Sequence, residues 1–378
     1  MRNEKFDDLR PYYDEEIADA MHRIADSEHL SALSSFVFPN ENVDDIKNRL
    51  KSYTTVDEFQ TQIMKPVNDQ IIKRSIAQLS YEGLEKLDKT KQYLYVSNHR
   101  DIVLDSSLLQ YALFSSGFRT TEITFGSNLM NPQLVVDIGK SNKMFKVIRG
   151  ANAKDFYYNS LHLSEYMRYT LVEKGESVWI AQRNGRTKDG IDATDQAIIK
   201  VFYMGSPLTP AKALAELNIV PISISYQWEP CDKLKALELY KSRSEKYVKQ
   251  PGEDLNSILT GMLQPKGNVH VSVGTPLSES ELLPLETLPH SKFNKEVALL
   301  MDEQIISNYK LTCNNYIAHD IRGQKEEHAQ MYTAEERAMF LQHYNNVMNE
   351  DVADKKMFSD IFLGIYANPV DVKKLTVG

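Results

Sequence analysis

The sequence predicts an α/β protein, a largely parallel sheet flanked by helices, with helical N-terminal and C-terminal additions. Three observations predict it. Over residues 89–277, short apolar runs alternate with longer segments of helical character. Several of those runs are continuous rather than alternating, as strands buried on both faces are. On either side, residues 1–88 and 278–378 place apolar side chains at helical spacing.

In the N-terminal region Ile17, Met21 and Ile24 fall at i, i+4 and i+7, and Phe59, Ile63, Val67, Ile71, Ile72, Ile76 and Leu79 make a longer stripe. Both read as helix faces packed on a core. Pro39-Asn40-Glu41-Asn42 is a turn between them, and Pro66 marks a kink or a first helical turn. Strands are predicted at 93–96, 123–125, 146–148, 177–181, 219–226 and 269–273. Pro221 inside the fifth run places that strand at an edge, or the proline at its start. Helices are predicted at 102–114 and 157–174, the second stopped by Lys174-Gly175. After Pro276 the chain turns helical and charged over 293–311 and 333–348, with Thr333 and Glu336 forming a capping box. Asn368-Pro369 reads as a turn. No internal repeat or low-complexity tract interrupts the pattern.

The composition is that of a globular chain: 378 residues, 42% hydrophobic and 25% charged. A net charge of −8 argues against a nucleic-acid binder. The charge is uneven. Residues 100–200 hold 13 Lys/Arg against 11 Asp/Glu, and the rest holds 31 against 41. The least acidic segment suits an anionic substrate, although chance clustering would look the same. Cys231 and Cys313 have no partner at short spacing, which argues against a zinc site or disulfide scaffold and suits a reducing compartment. The first residues show no apolar signal region, and no apolar run approaches the ~18 residues of a membrane span. The expectation is a cytoplasmic protein whose membrane contact is peripheral.

Four segments carry possible chemistry. The run from Tyr93 to Val96 stops at Asn98-His99-Arg100-Asp101, with Asp105 six residues after the histidine. A strand end is where open α/β sheets build their sites, and a histidine there with an acid in reach suits a general base. Asp101 is placed to cap the next helix, and Asp105, one turn in, to hold the imidazole by its second nitrogen. An ordinary loop histidine beside a helix cap fits the same residues. The second segment runs from Phe125-Gly126 through Lys140, Lys143 and Lys146 to Arg149. The lysines read as a solvated face. Arg149 at a strand end reads equally as surface or as a fork for phosphate. The third, Trp179 to Gly190, contains Arg183, Asn184, Gly185, Arg186 and Lys188, an anion site or simply a polar loop. The fourth is Val220-Pro221-Ile222.

Taken in order, these segments resemble the glycerolipid acyltransferases, the family of glycerol-3-phosphate and lysophosphatidic acid acyltransferases. That family's blocks are Asn-His-x-x-x-x-Asp, Phe-x-x-Arg, Glu-Gly-x-Arg-Ser and a strand with Val-Pro-Ile. Here they are matched by Asn98-His99 with Asp105, Phe145 with Arg149, Asn184-Gly185-Arg186-Thr187 and Val220-Pro221-Ile222. The spacing departs by one residue at Asp105, where Leu104 holds the family's aspartate position, and again at Arg149. Asn184 stands where the family has glutamate, and Arg186 comes one position early, so Lys188 is placed to share its role.

The resemblance implies transfer of a fatty acyl group from a thioester, on coenzyme A or acyl carrier protein, to a hydroxyl of a glycerol-phosphate or lysolipid-type acceptor. His99 is then the general base and Asp105 its orienting acid, with Asp101 in reserve. Arg149, Asn184, Gly185, Arg186 and Lys188 bind the anionic acceptor. No metal and no cofactor beyond the donor are implied, and no second histidine or acid cluster at ligand spacing points to a metal-dependent hydrolase. Docking on the cytoplasmic membrane face would use an amphipathic or basic surface against the overall acidity. The competing class is a non-catalytic lipid-binding or scaffold protein on the same fold. The resemblance covers about residues 90–275 and leaves the flanking helices unexplained.

Overall fold

The computed structural model describes residues 3–148 and 152–377. Its strands are β1 (Ile76–Glu82), β2 (Leu94–Ser97), β3 (Glu122–Gly126), β4 (Met144–Val147), β5 (Val178–Ala181), β6 (Ile219–Tyr226) and β7 (Gly267–Val273). They form one sheet in the order β1-β7-β6-β2-β5-β3-β4. From β6 through β4 every pairing is parallel. β7 is antiparallel to β6, and β1 is parallel to β7, so two strands run against the other five.

The continuous apolar runs are explained by burial on both faces. In β2, Leu94 and Val96 pack with Phe145, Val178, Ile180 and Phe202 on one side of the sheet. Tyr93 and Tyr95 pack with Leu108, Leu113, Ile123 and Trp179 on the other. The period of two thus feeds two cores rather than one core and solvent. Helices Leu104–Ser115 and Ala153–Arg168 lie where the sequence predicts them, and the second ends at Gly175, whose φ of 72° closes the helix. The capping box of Thr333 and Glu336 opens helix Ala334–Met348.

Four expectations are corrected. The long N-terminal stripe does not stay helical to Leu79, because residues from Ile76 pair with β7 as β1. The predicted strand at 146–148 begins two residues earlier, at Met144. β6 is not an edge strand, since it lies between β7 and β2 and all its residues are buried. Pro221 is tolerated there because it faces the β7 side beyond the last paired residues, Ile222 and Val273. Its carbonyl accepts from Gly274 N at 2.9 Å, and the one bond the proline cannot return falls at the end of the β6–β7 ladder. Finally, Asn368-Pro369 is no turn, for Pro369 sits inside helix Lys355–Val377. The proline frees the carbonyl of Ile365 four residues earlier. Gly190 packs directly against that oxygen.

Pro66 behaves as read, opening helix Lys65–Ser75 just after a widened π turn at Gln60–Met64. The N-terminal helices have their own core around Ile17, Met21, Leu50 and Phe59. The C-terminal helices have another around Ile317, Phe340, Phe362 and Tyr366. The N-terminal segment also reaches the sheet: Phe6 and Leu9 join its core, and Lys146 N on β4 donates to Leu9 O at 2.9 Å. Among the described residues no helix is long and apolar enough to cross a membrane.

Candidate active site

The C-terminal ends of β2, β3, β4 and β5 open into one cavity of about 480 Å³. His99 lines it, two residues beyond the end of β2. Its Nδ1 lies 3.0 Å from Asp105 Oδ2, and the carboxylate is fully buried while the ring keeps 13% exposure. Asp105 is held by more than the histidine. Its Oδ2 accepts from the backbone N–H of Arg100 at 2.6 Å and of Asp101 at 2.9 Å, and its Oδ1 accepts from Tyr226 Oη at 2.8 Å. Burial, then the neighbouring carboxylate, pushes the Tyr226 phenol far above its usual range, so it remains a donor. These three donors stabilise the ionised carboxylate and fix which oxygen meets the ring.

Asp101 does not serve as the orienting acid. Its Oδ1 accepts from Val103 N and Leu104 N at 2.9 and 2.8 Å, which caps the helix that carries Asp105. Burial and the nearby Asp105 raise its pKa above the usual carboxylate range. The extra residue between His99 and the aspartate is therefore absorbed in the capped turn. Asn98 locks the strand end from the other side: its side chain both donates to Ile224 O and accepts from Ile224 N, at 3.0 and 2.8 Å.

Arg100, visible in the sequence only as the residue after His99, is fully buried. It pairs with Asp192 at 2.8 Å and Glu229 at 3.2 Å, and lies over the Tyr309 ring. Burial alone would lower its pKa, but these carboxylates hold it firmly charged. Lys235 closes the network, donating to Arg100 O and Glu229 at 2.6 Å each. No local signal marks Asp192, Glu229 or Lys235, because the contacts join positions 92 to 135 residues apart. The network fixes the backbone on which His99 sits.

The loop after β5 brings Asn184, Gly185, Arg186 and Lys188 to the same cavity, and Thr187 N donates to His99 O at 2.7 Å. Arg186 is almost buried, and its Nη1 has no hydrogen-bond partner. Arg183 also lines the cavity, and neither arginine has an ion-pair partner among the described residues. Lys188 is different, being paired with Glu238. Lys249, in a long loop with no motif to mark it, reaches the cavity but is paired with Asp254. Lys143 is not a free surface charge either, since it pairs with Glu176 at 3.1 Å. Arg149 lies outside the described residues; its neighbour Ile148 lines the cavity. Phe145, matched with it in the second block, is buried in the sheet core. Apolar side chains also line the cavity: Ile102, Phe125, Leu129, Leu163, Ile198 and Val201. An imidazole backed by a buried acid, two unpaired guanidinium groups and an apolar wall can activate a hydroxyl beside an anionic, lipid-like molecule.

Residues 78–225, from within β1 to the penultimate residue of β6, match the family model described as Acyltransferase. That segment is an acyltransferase domain. It contains His99, Asp105 and the arginine loop, and it stops before β7. No curated protein matches the chain. Among solved structures, the 1-acyl-sn-glycerophosphate (LPA) acyltransferase PlsC from Thermotoga maritima is similar at 14% identity, covering 78% of this chain and 96% of that one, with a TM-score of 0.35. The acyltransferase domain is built into a larger sheet, in which β7 pairs with β6 and the N-terminal and C-terminal helices add cores of their own.

Proposed function

We propose that the acyltransferase domain moves a fatty acyl group from an acyl thioester, on coenzyme A or acyl carrier protein, to a hydroxyl of a glycerol-phosphate or lysolipid-type acceptor, with His99 as general base. The observation that carries this reading is the His99–Asp105 pair at the cavity wall. Asp105 occupies Nδ1, which leaves Nε2 as the nitrogen available to a substrate. Nε2 takes the acceptor's hydroxyl proton as the oxygen attacks the thioester carbonyl. The C–S bond then breaks, and the proton on the imidazolium passes to the departing thiolate, so the products are an ester and a free thiol. Asp105 keeps the productive tautomer and stabilises the transient charge. Arg186 and Arg183 supply donors for the acceptor's anionic head, a pairing that guanidinium groups make in bidentate form. The apolar wall accommodates the acyl chain.

A lipid acceptor also calls for a membrane surface. Phe156, Tyr157 and Tyr158 are each at least half exposed on helix Ala153–Arg168, and Phe156 lines the cavity as well. Aromatic side chains with one wet and one apolar end favour the bilayer interface. The reading places the cavity mouth against the lipid headgroups.

Thiol release from acyl-coenzyme A and from acyl carrier protein, measured against glycerol 3-phosphate, lysophosphatidic acid and neutral monoacylglycerol, tests the assignment. Turnover is expected with a phosphorylated acceptor and not with the neutral one. Equal rates with the neutral acceptor would remove the role of the arginines. Lipid binding without turnover on any acceptor would return the protein to the lipid-binding class.

A further inference from the structure

Outside the acyltransferase domain, three metal-ligating side chains converge at the end of helix Cys313–Gly323. His319 and Asp320 are consecutive near its C-terminus, and Gln324, in the left-handed region at φ 51°, turns the chain so that His328 returns to them. One ligand atom from each of His319, Asp320 and His328 lies within 4.8 Å of the others. Asp320 and His328 are buried. The two rings meet edge to face, with centroids 4.9 Å apart.

The surroundings of these groups favour coordination. His319 Nε2 is 3.1 Å from Asp371 Oδ1, a carboxylate on helix Lys355–Val377. In the neutral ring that contact puts the proton on Nε2 and the lone pair on Nδ1. A carboxylate on the far nitrogen is the usual support of a metal-bound imidazole. His319 Nδ1 is buried without a hydrogen-bond partner, and Asp320 Oδ1 stands 3.9 Å from it. A lone pair facing a carboxylate oxygen repels it unless a cation lies between them. Asp320 is itself oriented by Tyr332 Oη at 2.8 Å and by His328 N at 3.0 Å.

We propose that His319, Asp320 and His328 bind one divalent transition-metal ion of the zinc class. Two imidazoles, one carboxylate and a water complete a tetrahedral set. Metal–ligand bonds of about 2.1 Å place such ligands about 3.4 Å apart, so the 3.9 Å separation closes by about half an ångström. The ion ties the 319–328 turn to the last helix through His319 and Asp371. One charge opposes it: Lys374 Nζ lies 3.5 Å from His328 Nε2, held 2.8 Å from Glu327. The site takes no part in acyl transfer, and its failure would leave the reading of His99 untouched.

The test titrates the untagged full chain, stripped by chelator and dialysed, with cobalt(II) and then zinc(II). One equivalent should bind, with the visible absorbance of four-coordinate cobalt displaced by zinc, and zinc should raise the melting temperature. His319→Ala and His328→Gln should each weaken binding at least tenfold and abolish the thermal shift. Lys374→Met should tighten binding. Unchanged circular dichroism and thiol release would show that the variants fold. No uptake at one equivalent would overturn the proposal. Uptake equal to wild type in both histidine variants would also overturn it.

Discussion

Asp105 accepts from His99, two backbone N–H groups and Tyr226, so its replacement tests orientation and structure together. Asp105→Asn should cost both activity and stability. The amide has one acceptor where the carboxylate has two, so at least one buried donor loses its partner, at about 1–3 kcal/mol. Tyr226→Phe separates the effects, because it removes only the Oδ1 contact. In a thiol-release assay with parallel melting curves, Asp105→Asn should lose most of its turnover, and Tyr226→Phe should fall by a modest factor with little change in KM. Equal and small losses in both would mean that Asp105 is a packing residue. This acid was legible in the sequence as a residue one turn into the helix after His99. Its donors were not: Tyr226 lies 121 positions away, and no local pattern links them. The same distance hid the Arg100 network, although Arg100 itself stood beside the histidine.

The decisive element is the loop between β5 and helix Gln196–Met204, which carries the arginines and is anchored at several points. Thr187 binds the His99 carbonyl, Asp192 binds Arg100, and Thr194 donates to Asp302 Oδ1 at 2.6 Å. Gly190, at φ 80°, packs where a Cβ would lie 2.3 Å from Ile365 O. Gly190→Ala should therefore destabilise by roughly 1–3 kcal/mol from backbone conformation, with a further cost from the clash. Calorimetry should show a lower melting temperature, and KM for the phosphorylated acceptor should rise as Arg183 and Arg186 shift. An unchanged melting temperature would mean the loop is not seated on the last helix. Strand existence at this scale was legible from apolar runs, because two buried faces leave continuous patterns. β1 was not, since the apolar spacing of Ile72, Ile76 and Leu79 fits a helix equally well and only pairing with β7 makes it a strand. Pro369 was misread for a comparable reason: the proline signal is local, and the packing of Gly190 on the freed Ile365 carbonyl is not.

At the scale of the molecule, the net charge of −8 opposes an anionic bilayer, and the exposed aromatic residues of helix Ala153–Arg168, of which Phe156 lines the cavity, favour the interface. Binding should thus depend more on Tyr157 and Tyr158 than on bulk charge. In liposome flotation, Tyr157→Ser with Tyr158→Ser should reduce the bound fraction and slow transfer to a vesicle-embedded acceptor, while the rate on a micelle-free, water-soluble acceptor stays unchanged. Equal loss on both acceptors would mean that the pair shapes the cavity rather than the docking surface.

The most direct test of the central claim is the steady-state rate of thiol release by His99→Ala, with its melting temperature measured alongside. General-base catalysis contributes about 10²–10⁴-fold, so kcat should fall by that factor, with acceptor KM nearly constant and the melting temperature preserved. A folded His99→Ala variant turning over within a few-fold of wild type would contradict the assignment.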